Sequence, residues 1–200
     1  MQKRKSAEDR KAEIVAAVLR LADEIGPDRL TTNDVARAVG LSQPAIFRHF
    51  ATKADLWIAV AERITEKLDA AWRAAMGSNG DPQSRLRALV QAQLQQIAAM
   101  PALPLILFSR ELNIDNPQLR GAFHALLMRY QGYLVQVLSD WQAEGGLRRD
   151  LTPEDAATFL TSLVQGLALR WGLGARSMAL VDEGMRLLDR QLAMFEADGH

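Results

Sequence analysis

Residues Thr31 to Leu56 read TTNDVARAVGLSQPAIFRHFATKADL, and the order of caps, breakers and apolar positions in this stretch specifies one module. Thr31 and Asp34 have the spacing of an N-terminal capping box. Val35 and Val39 stand one helical turn apart, and Gly40 is a residue that tolerates a positive φ where the helix must stop. Beyond it, Ser42 is placed to accept from the free N–H groups of a second helix. Pro44 is allowed in that helix's first turn, and Ile46 with Phe50 forms its inward stripe. Two short helices joined by Gly40-Leu41-Ser42 make a helix-turn-helix. Once Ile46 and Phe50 are buried, Gln43, Pro44, Ala45, Phe47, Arg48 and His49 face outward. Glutamine pairs with adenine, arginine with guanine or phosphate, and small apolar groups meet a thymine methyl, on a helix that fits the major groove. An ordinary αα-hairpin with a solvated polar face is the alternative reading of the bare pattern.

Upstream, apolar residues Ile14, Val18, Leu21, Ala22 and Ile25 recur at helical spacing from about Ala7, and Gly26-Pro27 ends that helix. It is the brace against which the two short helices pack. Residues 1 to 56 hold ten Lys or Arg against eight Asp or Glu, and Lys3, Arg4, Lys5, Arg10 and Lys11 are five of the ten. This basic arm suits phosphates or a minor groove, or is a solvated tail. Downstream, Thr52-Lys53-Ala54-Asp55 is a second capping box, opening a helix through Leu56, Val60, Ile64, Leu68 and Trp72 to about Met76. Lys53 and the free N–H groups beside it suit a phosphate, and the helix's far end belongs to the body, so it joins the two.

The quoted residues resemble the signature of the tetracycline-repressor (TetR/AcrR) family of transcription regulators: Thr31-Thr32, Val35-Ala36, Val39-Gly40-Leu41-Ser42, Ala45-Ile46-Phe47-Arg48-His49-Phe50, Lys53 and Leu56. The match covers about a quarter of the chain, and the helical body behind it carries no motif of its own. The resemblance implies a DNA-reading head over residues 1–56 and a ligand-binding and dimerisation body over 57–200. DNA contacts are then expected from Thr32, Asn33, Gln43, Pro44, Ala45, Phe47, Arg48, His49 and Lys53. One departure is Phe47, where the family usually has Tyr, so the phosphate contact of that hydroxyl is missing and the ring serves packing or a thymine.

In the body, Gly77-Ser78-Asn79-Gly80 reads as a loop and Asp81-Pro82 opens a helix through Leu86 to Ile97. Met100-Pro101 and Pro104 break the chain, because the residue before a proline avoids the helical region, and one short apolar helix follows through Leu112. Asn116-Pro117 starts a helix that ends at Gly145-Gly146, Thr152-Pro153 opens another to Trp171, and the last spans roughly Leu180 to Phe195. No stretch alternates as a half-buried strand does, so the chain is all-α with about nine helices, a three-helix head and a helical bundle.

The last two long helices are apolar over a wide arc, with Leu163 and Leu167 in one and Val181, Met185, Leu188 and Leu192 in the other. They are either central to the monomer or half of a four-helix interface with a second copy. The resemblance favours a homodimer, which suits a palindromic operator in double-stranded DNA. Family members hold an inducer among the body helices, and Trp72, Met100, Leu107, Phe108, Glu111, Phe123 and Met128 are the candidates, unless they simply fill the core.

With 48% hydrophobic and 24% charged residues the composition is that of an ordinary globular chain, and the formal net charge is zero. There is no cysteine, which excludes disulfides, thiolate catalysis and cysteine-ligated zinc. His49, His124 and His200 are far apart, and no metal or cofactor motif or catalytic constellation is present, so neither metal, cofactor nor enzyme activity is expected. Without a signal peptide or an apolar run near 18 residues, a cytoplasmic protein that does not enter membranes is expected. The functional expectation is a repressor released from its operator by a small apolar effector. Its rival is a DNA-bound scaffold or nucleoid-associated regulator without an effector.

Overall fold

In the computed structural model, which describes residues 6–77 and 80–197, helices begin where the sequence places caps. α1 (Ala7–Ile25) opens on a Ser6/Asp9 capping box and stops at Gly26, whose φ of 86° only glycine adopts without strain. α2 (Thr32–Ala38) opens on the Thr31/Asp34 box: Asp34 N–H donates to Thr31 Oγ1 at 3.2 Å, and Thr31 N–H donates to Asp34 Oδ2 at 3.1 Å. It closes in a Schellman motif, with Leu41 N–H on the Ala36 carbonyl at 2.9 Å, Gly40 N–H on that of Arg37 at 3.3 Å, and Gly40 at φ 66°. α3 (Gln43–Phe47) follows. Here one expectation is corrected, because the Ser42 side chain makes no capping bond; its backbone carbonyl accepts from Ala45 and Ile46, as the Thr31 carbonyl does from Asp34 and Val35 at the start of α2.

The remaining elements are α4 (Lys53–Met76), α5 (Pro82–Ala99), α6 (Ala102–Phe108), α7 (Arg110–Asp115), α8 (Pro117–Ala143), α9 (Pro153–Leu173) and α10 (Leu180–Phe195). Ten helices thus stand among the described residues where about nine were expected, because 100–112 is two helices rather than one. Ser109 is extended, at φ −65° and ψ 108°, and its hydroxyl accepts from Leu112 N–H at 3.0 Å, capping α7. The same hydroxyl donates to Asp28 in the α1–α2 loop, an attachment that gives this break a fixed place. Pro104 does not interrupt the chain as expected. It is the third residue of α6, in the first turn where a missing N–H leaves no bond unmade.

The helices form two compact units, Met1–Thr65 with Met100–His124 and Glu66–Ala99 with Ala125–His200. The first holds α1 to α3, the start of α4, α6, α7 and the start of α8. Its centre includes Ile14, Val18, Leu30, Val35, Ile46 and Trp57, each at most 1% exposed. α1 packs against both α2 and α6. The second is built on α5, α9 and α10. There Gly184 lets α10 approach α5 so closely that a Cβ would lie 2.3 Å from Leu94 Cδ1. Arg87 to Asp189 at 2.9 Å and Gln83 to Glu196 at 2.7 Å join the same two helices at their edges. The end of α10 is tied to the α8–α9 loop by Arg148 N–H on the Phe195 carbonyl and Ala197 N–H on the Gly146 carbonyl, both 2.9 Å.

Candidate nucleic-acid interface

The first unit presents the second helix of the helix-turn-helix with one face sealed and the other open. Ala45 and Ile46 are buried and Phe50 closes the stripe just past the helix. Gln43, Pro44, Phe47 and Arg48 are exposed and His49 is half-buried. Ala45, expected to face outward from α3, is therefore turned inward, and with Thr32 it makes two residues of the expected reading set that the fold buries. Phe47 leaves 40% of its surface in solvent, which is unusual for a ring and suits an apolar contact such as a thymine methyl. Asn33 is exposed, whereas Thr32 is 8% exposed. The Gln43 amide Nε2 donates to Thr32 Oγ1 at 2.7 Å, bringing two of the expected residues together across the two helices.

Lys53 stands exposed at the first position of α4, whose start is held by a complete Thr52/Asp55 box, with N–H to oxygen distances of 2.9 and 3.0 Å. Neither Arg48 nor Lys53 has an ion pair among the described residues, so both cations are available to phosphate or base. By contrast, Arg10 pairs with Glu13 at 2.7 Å and Lys11 with Glu8 at 3.4 Å on α1. The other basic residues of the arm, Lys3, Arg4 and Lys5, lie outside the described residues, as do Ser78, Asn79 and His200. Asp34 is held below its ordinary carboxylate range, chiefly by the Thr31 hydroxyl, so the α2 cap is charged at neutral pH.

The residues singled out as effector contacts divide between the units. In the first, Met100 and Phe123 are buried, Leu107 is half-buried, and Phe108 and Glu111 are exposed. In the second, Met128 is exposed on α8 and Trp72 is buried. Trp72 has surroundings that sequence reasoning did not find. Its indole N–H donates to Gln93 Oε1 at 2.9 Å, and its ring lies 5.0 Å from Tyr130 and 6.2 Å from Tyr133, between ring centroids. The Tyr133 hydroxyl donates to Asp69 at 3.2 Å, and Arg73 and Arg129 reach the same carboxylate at 3.0 and 3.6 Å. The Tyr130 hydroxyl is buried with no hydrogen-bond partner among the described residues, and burial pushes its phenol far up, so it remains a donor at any physiological pH. The signal for this cluster was the helical spacing of Asp69 and Trp72 in α4 and of Tyr130 and Tyr133 in α8; what joins them is tertiary.

The α9–α10 residues separate in the same way. Leu167, Leu188 and Leu192 are buried within the chain, and Leu163, Val181 and Met185 are half-buried. On α9, Phe159, Leu169 and Leu173 are 53%, 48% and 80% exposed. With Ser162, Leu163 and Gly166 they share one face at helical spacing, opposite the buried Leu160, Val164 and Trp171. Among the described residues no helix is long and apolar enough to cross a membrane, and no three His, Cys, Asp or Glu side chains gather as a metal ion would need.

This architecture is shared with known proteins. The model of bacterial regulatory proteins of the tetR family matches residues 14–60, and that of the C-terminal part of BetI-type transcriptional repressors matches residues 82–195. The nucleoid occlusion factor SlmA of Vibrio atlanticus (strain LGP32) is 29% identical over 159 residues, spanning 79% of this chain and 81% of that one. A transcriptional regulator from Saccharomonospora viridis, solved in complex with choline, superposes with a TM-score of 0.84 at 21% identity, covering 96% of this chain and 100% of the other. The fatty acid degradation regulator FadR from Bacillus halodurans does so at 0.79 and 18%, covering 95% and 97%. The two structural likenesses establish the fold, and the two family models together span both the head and the body: the chain belongs to the tetR family and is a DNA-binding transcription regulator.

Proposed function

We propose that the protein works as a homodimer that represses transcription from a palindromic operator and leaves it when a small molecule binds the body. The observation that carries this reading is the open face of α3, where Gln43, Pro44, Phe47 and Arg48 are exposed, followed by an exposed Lys53 that has no ion pair among the described residues. In this reading residues 1–56 read DNA, with Thr32, Asn33 and His49 beside the exposed set, and 57–200 dimerise and bind the effector. The exposed apolar face of α9 supports the dimer, since a surface with Phe159, Leu169 and Leu173 uncovered is what a second copy buries. Gly166 and Ser162 on the same face let a partner helix come close. Repression is supported by the match to the BetI-type repressors.

An effector site at Trp72 is supported by the Tyr130 hydroxyl, because a buried donor without a partner costs about 1–3 kcal/mol that a ligand's acceptor would recover. Aromatic walls with one free donor select an apolar or amphiphilic molecule. Choline, bound by a neighbour of the same fold, is the first compound to test. Here its hydroxyl oxygen would meet Tyr130, while the Asp69 carboxylate is already engaged by two arginines.

The experiment is selection of bound DNA on the purified protein, followed by competition of small molecules against the recovered operator. An effector should weaken operator binding about 5- to 150-fold. Compounds that stabilise the protein yet leave the operator affinity unmoved would count against release. They would promote the second reading, a DNA-bound scaffold, which the similarity to a nucleoid occlusion factor favours.

A further inference from the structure

The hydrogen bond between Gln43 and Thr32 ties the first residue of α3 to the first residue of α2. We propose that Thr32 is a positioning residue for sequence reading: it holds the Gln43 amide in one orientation, so base preference belongs to a pair of residues on two helices. The proposal rests on the reading of Gln43 as a base-contacting residue.

Thr32 is a fixed point. The Thr31/Asp34 box locks the first turn of α2, the Thr32 side chain is 8% exposed, and a β-branched residue in a helix has few χ1 positions to choose from. A shielded hydroxyl needs a partner, and the Gln43 N–H is that partner at 2.7 Å. Gln43 is constrained at its other end as well, because Pro44 follows it and restricts its backbone. Nor does the neighbouring Ser42 side chain compete for the helix start.

The chemistry follows from what the bond leaves free. A glutamine amide has two N–H donors and one acceptor oxygen. With one N–H on Thr32, Gln43 keeps Oε1 and a second N–H in a single plane. That pair matches adenine, which offers a donor at N6 and an acceptor at N7 in the major groove, and not guanine, whose O6 and N7 are both acceptors. A free glutamine loses rotamer freedom on meeting a base and adopts either orientation of its amide; a held one loses little and presents one pattern. Thr32 therefore acts through Gln43, and its low exposure agrees with an indirect role.

The test uses the full-length protein and the operator it selects, with each of the four base pairs placed in turn at the position Gln43 reads. Thr32→Val keeps the shape and removes the hydroxyl, whereas Thr32→Ser keeps the hydroxyl. The expected result is that Thr32→Val lowers the discrimination between best and worst base pair by about 2- to 12-fold, the worth of an ordinary hydrogen bond. It should lower operator affinity more than affinity for random duplex, and Thr32→Ser should restore the discrimination. In a Gln43→Ala background Thr32→Val should change the discrimination no further. If Gln43→Ala lowers discrimination and Thr32→Val leaves it intact, or weakens all sequences equally as a phosphate contact would, the proposal is overturned. If Gln43→Ala itself leaves discrimination unchanged, the base-contact reading fails and the proposal falls with it.

Discussion

The helix-turn-helix and the α9–α10 pair are both built of helices with one apolar face, yet the sequence specifies the contacts of the first residue by residue and those of the second only as apolar cover. In the head the decisive interactions are directional and local. Thr31 meets Asp34 three residues on, Gly40 must take a positive φ, and Leu41 N–H closes on Ala36 five residues back. In α9 and α10 the decisive interaction is apolar burial, which has no direction. The leucines that fill the chain's own core, Leu167, Leu188 and Leu192, are chemically the same as Leu169 and Leu173, which face solvent. A capping pattern specifies a contact, whereas an apolar pattern specifies only that something must cover it.

The sharpest way to break this comparison is to put one charge into each class of leucine. Leu188 is 0% exposed, so Leu188→Glu should cost upward of about 3 kcal/mol and unfold much of the second unit, read by circular dichroism and thermal melting. Leu173 is 80% exposed, so Leu173→Glu should leave the helical signal intact and instead shift sedimentation from dimer toward monomer. If Leu188→Glu melts normally, or Leu173→Glu melts early in a protein that is monomeric from the start, the division between core and interface leucines is wrong.

Gly184 of α10 and Gly166 of α9 make a smaller version of the same contrast. A methyl on Gly184 would lie 2.3 Å from Leu94 Cδ1, so Gly184→Ala should destabilise by about 1–3 kcal/mol through overpacking. A methyl on Gly166 would meet nothing within 4 Å in the chain itself, so Gly166→Ala should stabilise the monomer fold by about 0.5–1 kcal/mol. If α9 packs on a second copy, that gain should be accompanied by weaker dimerisation, visible as a stronger dependence of the dimer fraction on concentration. Equal melting shifts of the same sign would remove the distinction.

The smallest effect belongs to the cap of α2. Asp34 is held below its ordinary value of 3.8, first by the Thr31 hydroxyl and then by the Thr31 N–H. A depressed folded-state value means that the cap's contribution is complete above the ordinary value and disappears as pH falls through the lowered one. Helix signal from the head should therefore decline only below about pH 4, and Thr31→Val should flatten that part of the profile. An unchanged profile in the variant would show that the cap contributes nothing measurable.

These contrasts also explain what could be read from the chain before its structure. The caps at Thr31, Thr52 and Thr152, the turn at Gly40, the inward pair Ile46 and Phe50 and the all-helical class followed from local chemistry. The division of 100–112 did not, because Ser109 is held by Asp28, a residue 81 positions away. The neighbourhood of Trp72 was equally hidden, since Tyr130 and Tyr133 reach it from another helix. At Ser42 the sequence pattern promised a side-chain cap that the structure does not make, because a serine before a helix is able to cap it without being obliged to, and the exposed start of α3 leaves its N–H groups open to solvent.

The central claim is that the open face of α3 reads base sequence while Lys53 supplies charge, and a titration series over salt concentration measures both at once. Wild type, Arg48→Ala and Lys53→Ala are each bound to the selected operator and to a scrambled duplex. Arg48→Ala should weaken operator binding by about 1–3 kcal/mol and scrambled binding much less. Lys53→Ala should weaken both duplexes alike and reduce the salt slope by about one. Equal losses on operator and scrambled DNA for both variants, with unchanged salt slopes, would contradict the account.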